Sequence, residues 1–282
     1  MRIIDPVINA ANAWTAKVEF TRRAEAELFD ASADFSRDIP ADDMAALLDE
    51  VGVERAIVGI DPEDPADWLL DYAQKYPDRF FFAAEPRFHK HGLDALWALE
   101  DLCAAHPVVA VRAAPMFVKK PATDSVWYPL YVKCIELDLP LCLTTGIPGP
   151  PLLPADVQNP MHLDPVLLEF PALELVMLHG ADPWWAVAMR LLLRHRNLHM
   201  VTSAWAPKYL PRELLDFMNT RGADKVLFGS DHPVLNLERA VREAKDLPLK
   251  PEVMEQYLSG NAERIFFGER HPRHITHAPL DR

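Results

Sequence analysis

Two side chains in this sequence stand where an apolar run ends, and both could carry acid–base chemistry. His179 follows the run LELVML and precedes Gly180, and Asp231 follows the run VLFGS. An imidazole titrates near neutral pH, and a carboxylate beside it could orient the ring, share its proton or bind a metal. Each residue also has a structural interpretation, because a histidine at a strand end can serve packing and Asp231 can cap a following helix.

Further polar residues stand at the ends of other apolar runs. Asn9 could polarise a carbonyl group as a third catalytic residue, and Arg112 in VVAVRAAP could hold an anionic group of a substrate. An internal ion pair of Arg112 with Glu85 or Asp5 is an equally good interpretation. The remaining candidates for substrate binding are Thr144, Thr145, Ser203, Trp184 and His232.

These residues share one position in a repeating pattern of short apolar runs and longer amphipathic stretches. The runs predict strands at residues 2–9, 54–60, 80–86, 108–114, 139–145, 173–179, 198–203 and 225–230. A helical pattern follows each strand, at residues 42–51, 68–75, 93–104, 128–137, 163–170, 185–194, 211–219 and 237–244. This alternation predicts an α/β protein with a single (β/α)8 TIM barrel, whose active site lies in the loops after the strands. An open dinucleotide-binding sheet is less consistent, since no G-x-G-x-x-G follows the first strand.

The pattern also predicts how the chain is divided. We expect residues 1–267 to form the barrel, with a lid-like insertion at residues 10–40 after the first strand, because long loops in compact domains are usually functional. Two short helices, at residues 252–257 and 261–266, would close the barrel. The polar, aperiodic residues 268–282 are interpreted as a surface tail.

Composition excludes several classes of function. The 282 residues carry a net charge of -13, which disfavours nucleic acid as a partner. The three cysteines, with no C-x-x-C spacing, favour reduced thiols and a cytoplasmic location. There is no export signal and no apolar run long enough to span a membrane, so the expected partner is a small-molecule substrate.

Four motifs resemble the amidohydrolase-related family, and within it the branch of aminocarboxymuconate semialdehyde decarboxylase and the resorcylate-type decarboxylases. They are IIDPVIN at the first strand, FPALELVMLHGADPWW at the sixth, KVLFGSDHP at the eighth and YLSGNAERIFF near the end. The resemblance implies a (β/α)8 barrel with a metal site at its mouth, and commonly a homodimer.

The resemblance carries over to this chain residue by residue. The family's first strand reads D-x-H-x-H with two metal-binding histidines, and the same places here hold Val7 and Asn9. The third ligand, a histidine on the fifth strand, corresponds to Thr144, whereas Asp231 matches the ligand on the eighth strand. His179 matches the acid–base histidine beside the metal. Because three ligands are replaced, we expect a degenerate metal site and no cofactor, with weak binding of a divalent metal left open.

The sequence therefore favours a hydrolase of the amidohydrolase family that acts on a small carbonyl-containing organic acid or its derivative. His179 and Asp231 would be its acid–base pair, and metal independence is the favoured interpretation. One alternative is a decarboxylase of the same family, in which His179 or Asp231 delivers a proton to carbon. The other is a barrel without catalytic activity that binds a ligand or partner.

Overall fold

Parallel strands that pair in chain order organise the structure, a computed structural model that describes residues 1–13, 18–27 and 33–269. The sheet contains eight strands, and all neighbours in it run parallel. They are β1 (Ile4–Ile8), β2 (Arg55–Ile60), β3 (Phe80–Ala84), β4 (Val108–Ala113), β5 (Leu141–Thr144), β6 (Leu175–Leu178), β7 (Leu198–Val201) and β8 (Val226–Leu227). Most are buried from end to end, as expected where helices cover a parallel sheet.

The last strand returns to the first, so the sheet closes into a barrel. The backbone NH of Asp231 donates to the carbonyl of Val7 over 3.0 Å, and the NH of Asn9 donates to the carbonyl of His232 over 2.8 Å. Ile8 and His232 form a parallel bridge between the same two segments. The segment that carries Asp231 therefore joins β8 to β1.

Helices connect the strands on the outside of the barrel. They are α1 (Glu19–Glu27), α2 (Ala41–Val51), α3 (Asp67–Lys75), α4 (Phe88–His91), α5 (Leu93–Ala105), α6 (Pro115–Val118), α7 (Tyr128–Glu136), α8 (Leu163–Glu169), α9 (Trp185–Arg194), α10 (Arg212–Met218), α11 (Leu237–Lys245), α12 (Pro251–Glu255) and α13 (Asn261–Phe266). Their ends follow local sequence rules. For example, α2 stops at Gly52, which has a φ of 76°, and α11 starts where the side chain of Asn236 accepts from the NH of Arg239.

Two apolar layers hold the barrel together. The outer layer lies between strands and helices, and the inner layer fills the barrel with side chains such as Ile57, Val176 and Leu227. Phe266 of α13 belongs to the inner layer, and Glu263 of the same helix pairs with Arg2 near the start of β1. The amino ends of the strands are therefore plugged, which leaves the carboxyl ends as the mouth of the barrel.

The predicted TIM barrel is confirmed, with every predicted strand present. The strands are shorter than predicted, most clearly at residues 225–230, where β8 covers Val226–Leu227 before the chain turns toward β1. The sequence pattern did not predict α1, α4 or α6, which are short or lie in the insertion.

The insertion at residues 10–40 is described in part. The ring of Phe20 in α1 meets the ring of Phe117 in α6 edge-on, with 6.0 Å between centroids. Because α6 follows β4, the insertion reaches from β1 to the loop after β4. Residues 14–17 and 28–32 lie outside the described ranges, as do residues 270–282 of the predicted tail, so the lid and the tail stay predictions. Within the described ranges, no helix combines the length and the apolar character needed to cross a membrane.

Candidate active site at the carboxyl end of the barrel

The loops after β6, β7 and β8 each contain a residue in the left-handed region of backbone space. His179 has a φ of 65°, Ala204 of 64° and Asp231 of 61°. Residues other than glycine rarely adopt this conformation, and such strain concentrates at functional sites. The two residues with candidate acid–base chemistry thus occupy two of these three strained positions.

The ring of His179 is oriented by its neighbours. Its Nδ1 lies 3.0 Å from Oγ of Ser203 and 3.9 Å from Oδ2 of Asp231. The first distance is that of a hydrogen bond. The second is too long for a hydrogen bond, and the two groups form an ion pair when the imidazole is protonated. The indole Nε1 of Trp205 donates to the backbone carbonyl of His179 over 3.0 Å, and this hydrogen bond stabilises the left-handed backbone conformation of His179. Nε2 makes no hydrogen bond to the described residues, and 25% of the side chain is exposed.

Opposing effects set the protonation of His179. Burial among the strand ends lowers the pKa of the imidazole, and the positive charge of Arg112 lowers it further. The carboxylate of Asp231 acts in the opposite direction because it stabilises the imidazolium. Burial has the largest influence, so the pKa of His179 falls below its ordinary value of 6.5.

Asn9 connects Asp231 to Arg112. Its Nδ2 donates to Oδ1 of Asp231 over 2.9 Å, and its Oδ1 accepts from Nη1 of Arg112 over 2.9 Å. This assignment of the amide places its oxygen toward the cation and its nitrogen toward the anion, as electrostatics requires. Because both ends of the amide are engaged, Asn9 serves here as a spacer, and the predicted polarisation of a substrate carbonyl stays a prediction.

Arg112 also approaches Glu85 at the end of β3. Its Nη1 lies 3.2 Å from Oε1 of Glu85, so the ion pair that the sequence left open is present. The Arg112 side chain is 9% exposed, and its Nη2 is buried without a hydrogen-bond partner among the described residues. Gly59 on β2 makes this approach possible, because a Cβ there would lie 2.5 Å from Oε1 of Glu85.

Burial raises the pKa of Glu85, and the positive charge of Arg112 opposes this rise. The side chain of Glu85 nevertheless keeps 45% of its surface exposed. Water therefore remains in contact with the carboxyl group and limits the rise. The negative charges of Asp61 and Asp231 act on Glu85 in the same direction as burial, which indicates that the ends of β2, β3 and β8 share one electrostatic environment.

Thr144 and Thr145 have hydroxyl groups that bind the protein itself. The hydroxyl of Thr144 donates to Oε1 of Gln158, and that of Thr145 contacts the carbonyls of Gly180 and of Leu178, the latter over 3.2 Å. The Thr145 bonds tie the loop after β5 to the loop that carries His179, whereas the Thr144 bond lies within the segment that follows β5. The structure thus gives both threonines a structural partner, and their predicted contact with a substrate stays a prediction.

The other predicted substrate contacts differ in their access to the mouth. Ser203 is fully buried and contacts His179, so the geometry suits orientation of the imidazole. His232 is 2% exposed and donates its backbone NH to Oγ of Ser230 over 2.9 Å. Trp184 is partly buried at the start of α9, whereas the neighbouring Trp185 packs directly on Gly180.

A buried carboxyl group supports the Asp231 loop from below. Asp5 on β1 is fully buried and accepts hydrogen bonds from the backbone NH of Ser230, over 3.1 and 3.2 Å, and of Val7, over 3.1 Å. Ser230 precedes Asp231, so these bonds hold the chain where it enters the left-handed turn. Burial raises the pKa of Asp5 to about 6, although the hydrogen bonds from Ser230 and Val7 lower it.

Sequence reasoning missed the role of Gly59 and named Glu85 only as one of two alternative ion-pair partners of Arg112, the other being Asp5. An isolated glycine inside the apolar run of β2 is a signal of close approach by another group, and this signal could have been used. The identity of that group depends on β3 and β4, which contribute Glu85 and Arg112. It was therefore not readable from β2 alone.

Among the residues that the structure describes, the side chains at the mouth do not form a full set of metal ligands. Val7 is 1% exposed and belongs to the inner apolar layer, and Asn9 is engaged as described above. Across residues 1–13, 18–27 and 33–269, no group of three or more His, Cys, Asp or Glu side chains is placed to hold a metal ion. A tightly held transition metal usually takes at least three protein ligands.

Comparison with known proteins gives one family match and several structural neighbours. A family model described as amidohydrolase matches residues 8–268. The uncharacterized TIM-barrel protein Bb4693 from Bordetella bronchiseptica is 24% identical, with a TM-score of 0.77 and coverage of 95% of this chain and 99% of that chain. 5-Carboxyvanillate decarboxylase LigW from Sphingomonas paucimobilis is 14% identical, with a TM-score of 0.71 and coverage of 94% and 99%. No curated protein sequence matches the chain.

A third neighbour corrects one expectation. The dihydroxybenzoic acid decarboxylase from Polaromonas sp. JS666 is 16% identical, with a TM-score of 0.70. The match covers 97% of this chain and 98% of that chain. It was solved with bound manganese and the inhibitor 2-nitroresorcinol. The bound manganese contradicts the expectation that no cofactor is involved. That expectation rested only on the replacement of three metal ligands in the sequence.

Proposed function

Because the chain belongs to the amidohydrolase family, we propose that it is a carboxy-lyase that removes a carboxyl group from a small aromatic carboxylic acid. The observation that carries this proposal is the convergence of His179, Asp231 and Arg112 at one mouth, where Asp231 lies beside the imidazole and Asn9 links Asp231 to the guanidinium. The structural neighbours LigW and dihydroxybenzoic acid decarboxylase support the choice of reaction. They favour decarboxylation over the hydrolysis that the sequence put first.

The reaction needs one proton delivered to carbon. The imidazolium of His179 gives the proton on Nε2 to the ring carbon that bears the carboxylate. A π electron pair of the ring forms the new C–H bond, and the electron pair of the N–H bond stays on Nε2. The bond from that carbon to the carboxylate then breaks, its electron pair restores the aromatic ring, and carbon dioxide leaves. His179 then takes up a proton from hydronium in the solvent, so the sum is the carboxylate plus one proton giving the arene plus carbon dioxide.

The neighbours of His179 support this role. Ser203 and Asp231 both lie on the Nδ1 side of the ring, which leaves Nε2 for the substrate. The carboxylate of Asp231 stabilises the imidazolium that must donate the proton. Arg112 supplies a positive charge that attracts an acid to the mouth, although its observed contacts are with Asn9 and Glu85.

Manganese in the neighbour from Polaromonas suggests a divalent metal for this chain as well. The described side chains do not form a full ligand set for such an ion. The proton transfer therefore depends on the side chains of the protein, and the carbon dioxide assays are run with and without added manganese chloride.

Hydrolysis remains the second candidate, and one observation favours it. The lowered pKa of His179 keeps the ring neutral near pH 7, which suits a general base that activates water. A homodimer, a cytoplasmic location and closure of the mouth by the insertion stay predictions beside either reaction.

Release of carbon dioxide tests the proposal. Purified protein is incubated with a panel of aromatic carboxylic acids, and carbon dioxide and the arene are quantified. Since a positioned proton donor contributes ~10²–10⁴-fold, His179→Ala and Asp231→Asn should each reduce turnover below one tenth. His106→Ala is the matched control, because His106 precedes β4 at the opposite end of the barrel. Turnover without carbon dioxide release, or near wild-type activity in both site variants, would reject the proposal.

A further inference from the structure

Glu85 is the most exposed member of the line of side chains that crosses the mouth. Its side chain is 45% exposed, compared with 25% for His179, 12% for Asp231 and 9% for Arg112. A substrate that enters the mouth therefore meets the carboxyl group of Glu85 more readily than the guanidinium behind it. The mechanism above gives this group no task.

The position of the Glu85 carboxyl group is determined from two sides. Nη1 of Arg112 lies 3.2 Å from Oε1, and Asn9 holds the same Nη1 over 2.9 Å. On the other side, Gly59 leaves the space that the carboxyl group occupies, since a Cβ there would lie 2.5 Å from Oε1. An acceptor that is held in this way loses little conformational freedom when it binds a substrate.

The second oxygen of Glu85 is available to a ligand. Oε2 makes no hydrogen bond or ion pair to any residue that the structure describes. Arg112 balances the negative charge of Glu85, so a cationic ligand at Oε2 would also meet the guanidinium, and an anionic one would meet the carboxylate. A neutral hydrogen-bond donor is the group that fits both charges.

We propose that Glu85 is a specificity-determining residue that accepts a hydrogen bond from a hydroxyl group of the substrate, with Arg112 and the bare Cα of Gly59 as its positioning elements. This inference rests on the proposed function, because it assigns the orientation of the same aromatic acid. The carboxyl group to be removed then lies toward His179, and the hydroxyl group lies toward β3.

Ligand binding tests this inference without turnover. The affinities of 2,6-dihydroxybenzoate and benzoate are measured by calorimetry at a pH where both are ionised. A hydrogen bond to a charged acceptor should favour the hydroxylated acid by about ten- to a hundredfold. Glu85→Ala should remove this preference. Glu85→Gln, which preserves shape, should reduce it because a neutral oxygen is a weaker acceptor.

Gly59→Ala provides an independent perturbation, because it displaces the Glu85 carboxyl group without changing its chemistry. It should reduce the preference as Glu85→Ala does. The control is Asp61→Asn, which removes a carboxylate at the end of β2 that pairs with Arg87, over 2.8 Å. Because Asp61 also acts on the charge of Glu85, a second control is Asp49→Asn, which removes a carboxylate that pairs with Arg79 before β3, over 2.7 Å, at the amino end of the barrel. Asp49→Asn should keep the wild-type preference.

The outcomes separate this inference from the proposed function. Preference for the hydroxylated acid that disappears in Glu85→Ala and Gly59→Ala supports the role of Glu85, even if no acid releases carbon dioxide. Equal affinity of the wild type for the two acids, binding of neither acid, or a preference that survives in folded Glu85→Ala and Glu85→Gln would overturn it. Thermal denaturation of each variant establishes that it is folded.

Discussion

The protonation of His179 gives the sharpest test of the proposed chemistry, because the two candidate reactions require opposite forms of the ring. A proton donor to carbon must be an imidazolium, whereas a base that activates water must be neutral. Burial places the pKa of His179 below 6.5, so the donor form decreases as the pH rises through the acidic range. The rate of decarboxylation should therefore be highest at acidic pH. The rate of hydrolysis should instead rise through the acidic range and stay constant at higher pH.

The magnitude follows from this upper bound on the pKa. At about pH 8.5, two units above 6.5, at most ~1% of the rings carry the proton. For decarboxylation, kcat/KM should therefore lie at least about a hundredfold below its value on the acidic plateau. The assay is the initial rate of carbon dioxide release between about pH 4.5 and 9, with unfolding at the extremes monitored by circular dichroism.

Two substitutions assign the titration to His179. The carboxylate of Asp231 raises the pKa of the ring and the guanidinium of Arg112 lowers it. Asp231→Asn should therefore move the pKa of His179 down, and Arg112→Met should move it up. Nitrogen NMR of the labelled imidazole measures both shifts without any turnover. A rate that rises with pH, or two substitutions that shift the pKa in the same direction, would refute the reasoning.

Two further predictions concern the loops that hold the site. Gly180→Ala should lower the free energy of unfolding by about 2–4 kcal/mol in urea titrations, because its Cβ would lie 2.1 Å from the Trp185 ring at a φ of 64°. Gly52→Ala has a similar φ of 76° with open space around it, and an equal loss there would exclude the ring contact as the cause. Burial raises the folded-state pKa of Asp5 to about 6 from 3.8, so stability should fall by about 3 kcal/mol between about pH 4 and 6 and stay lower above. Asp5→Asn should not show this pH-dependent loss of stability. A difference in the free energy of unfolding between the wild type and Asp5→Asn that stays constant from about pH 4 to 6 would contradict the prediction.

The sequence determined the architecture because the signals for it are local. Apolar runs of strand length alternate with amphipathic stretches along residues 1–267, and each of the eight strands and the helix after it can be recognised from its own residues. The positions of His179 and Asp231 at strand ends followed from the same pattern, since each directly follows an apolar run and so lies at the carboxyl end of a strand. The family resemblance added the identity of the barrel type, and the family model agrees with it.

The tertiary structure alone decided which of these polar residues meet and what each one contacts. Asn9 was expected to face a substrate, and it lies instead between Arg112 and Asp231, a contact that joins positions 103 and 222 residues apart. The left-handed backbone of His179 carries no marker in its residue type, because glycine is the usual sign of that conformation. The physical reason is that strand register and barrel closure set distances of a few ångströms between distant segments, and no local pattern encodes them.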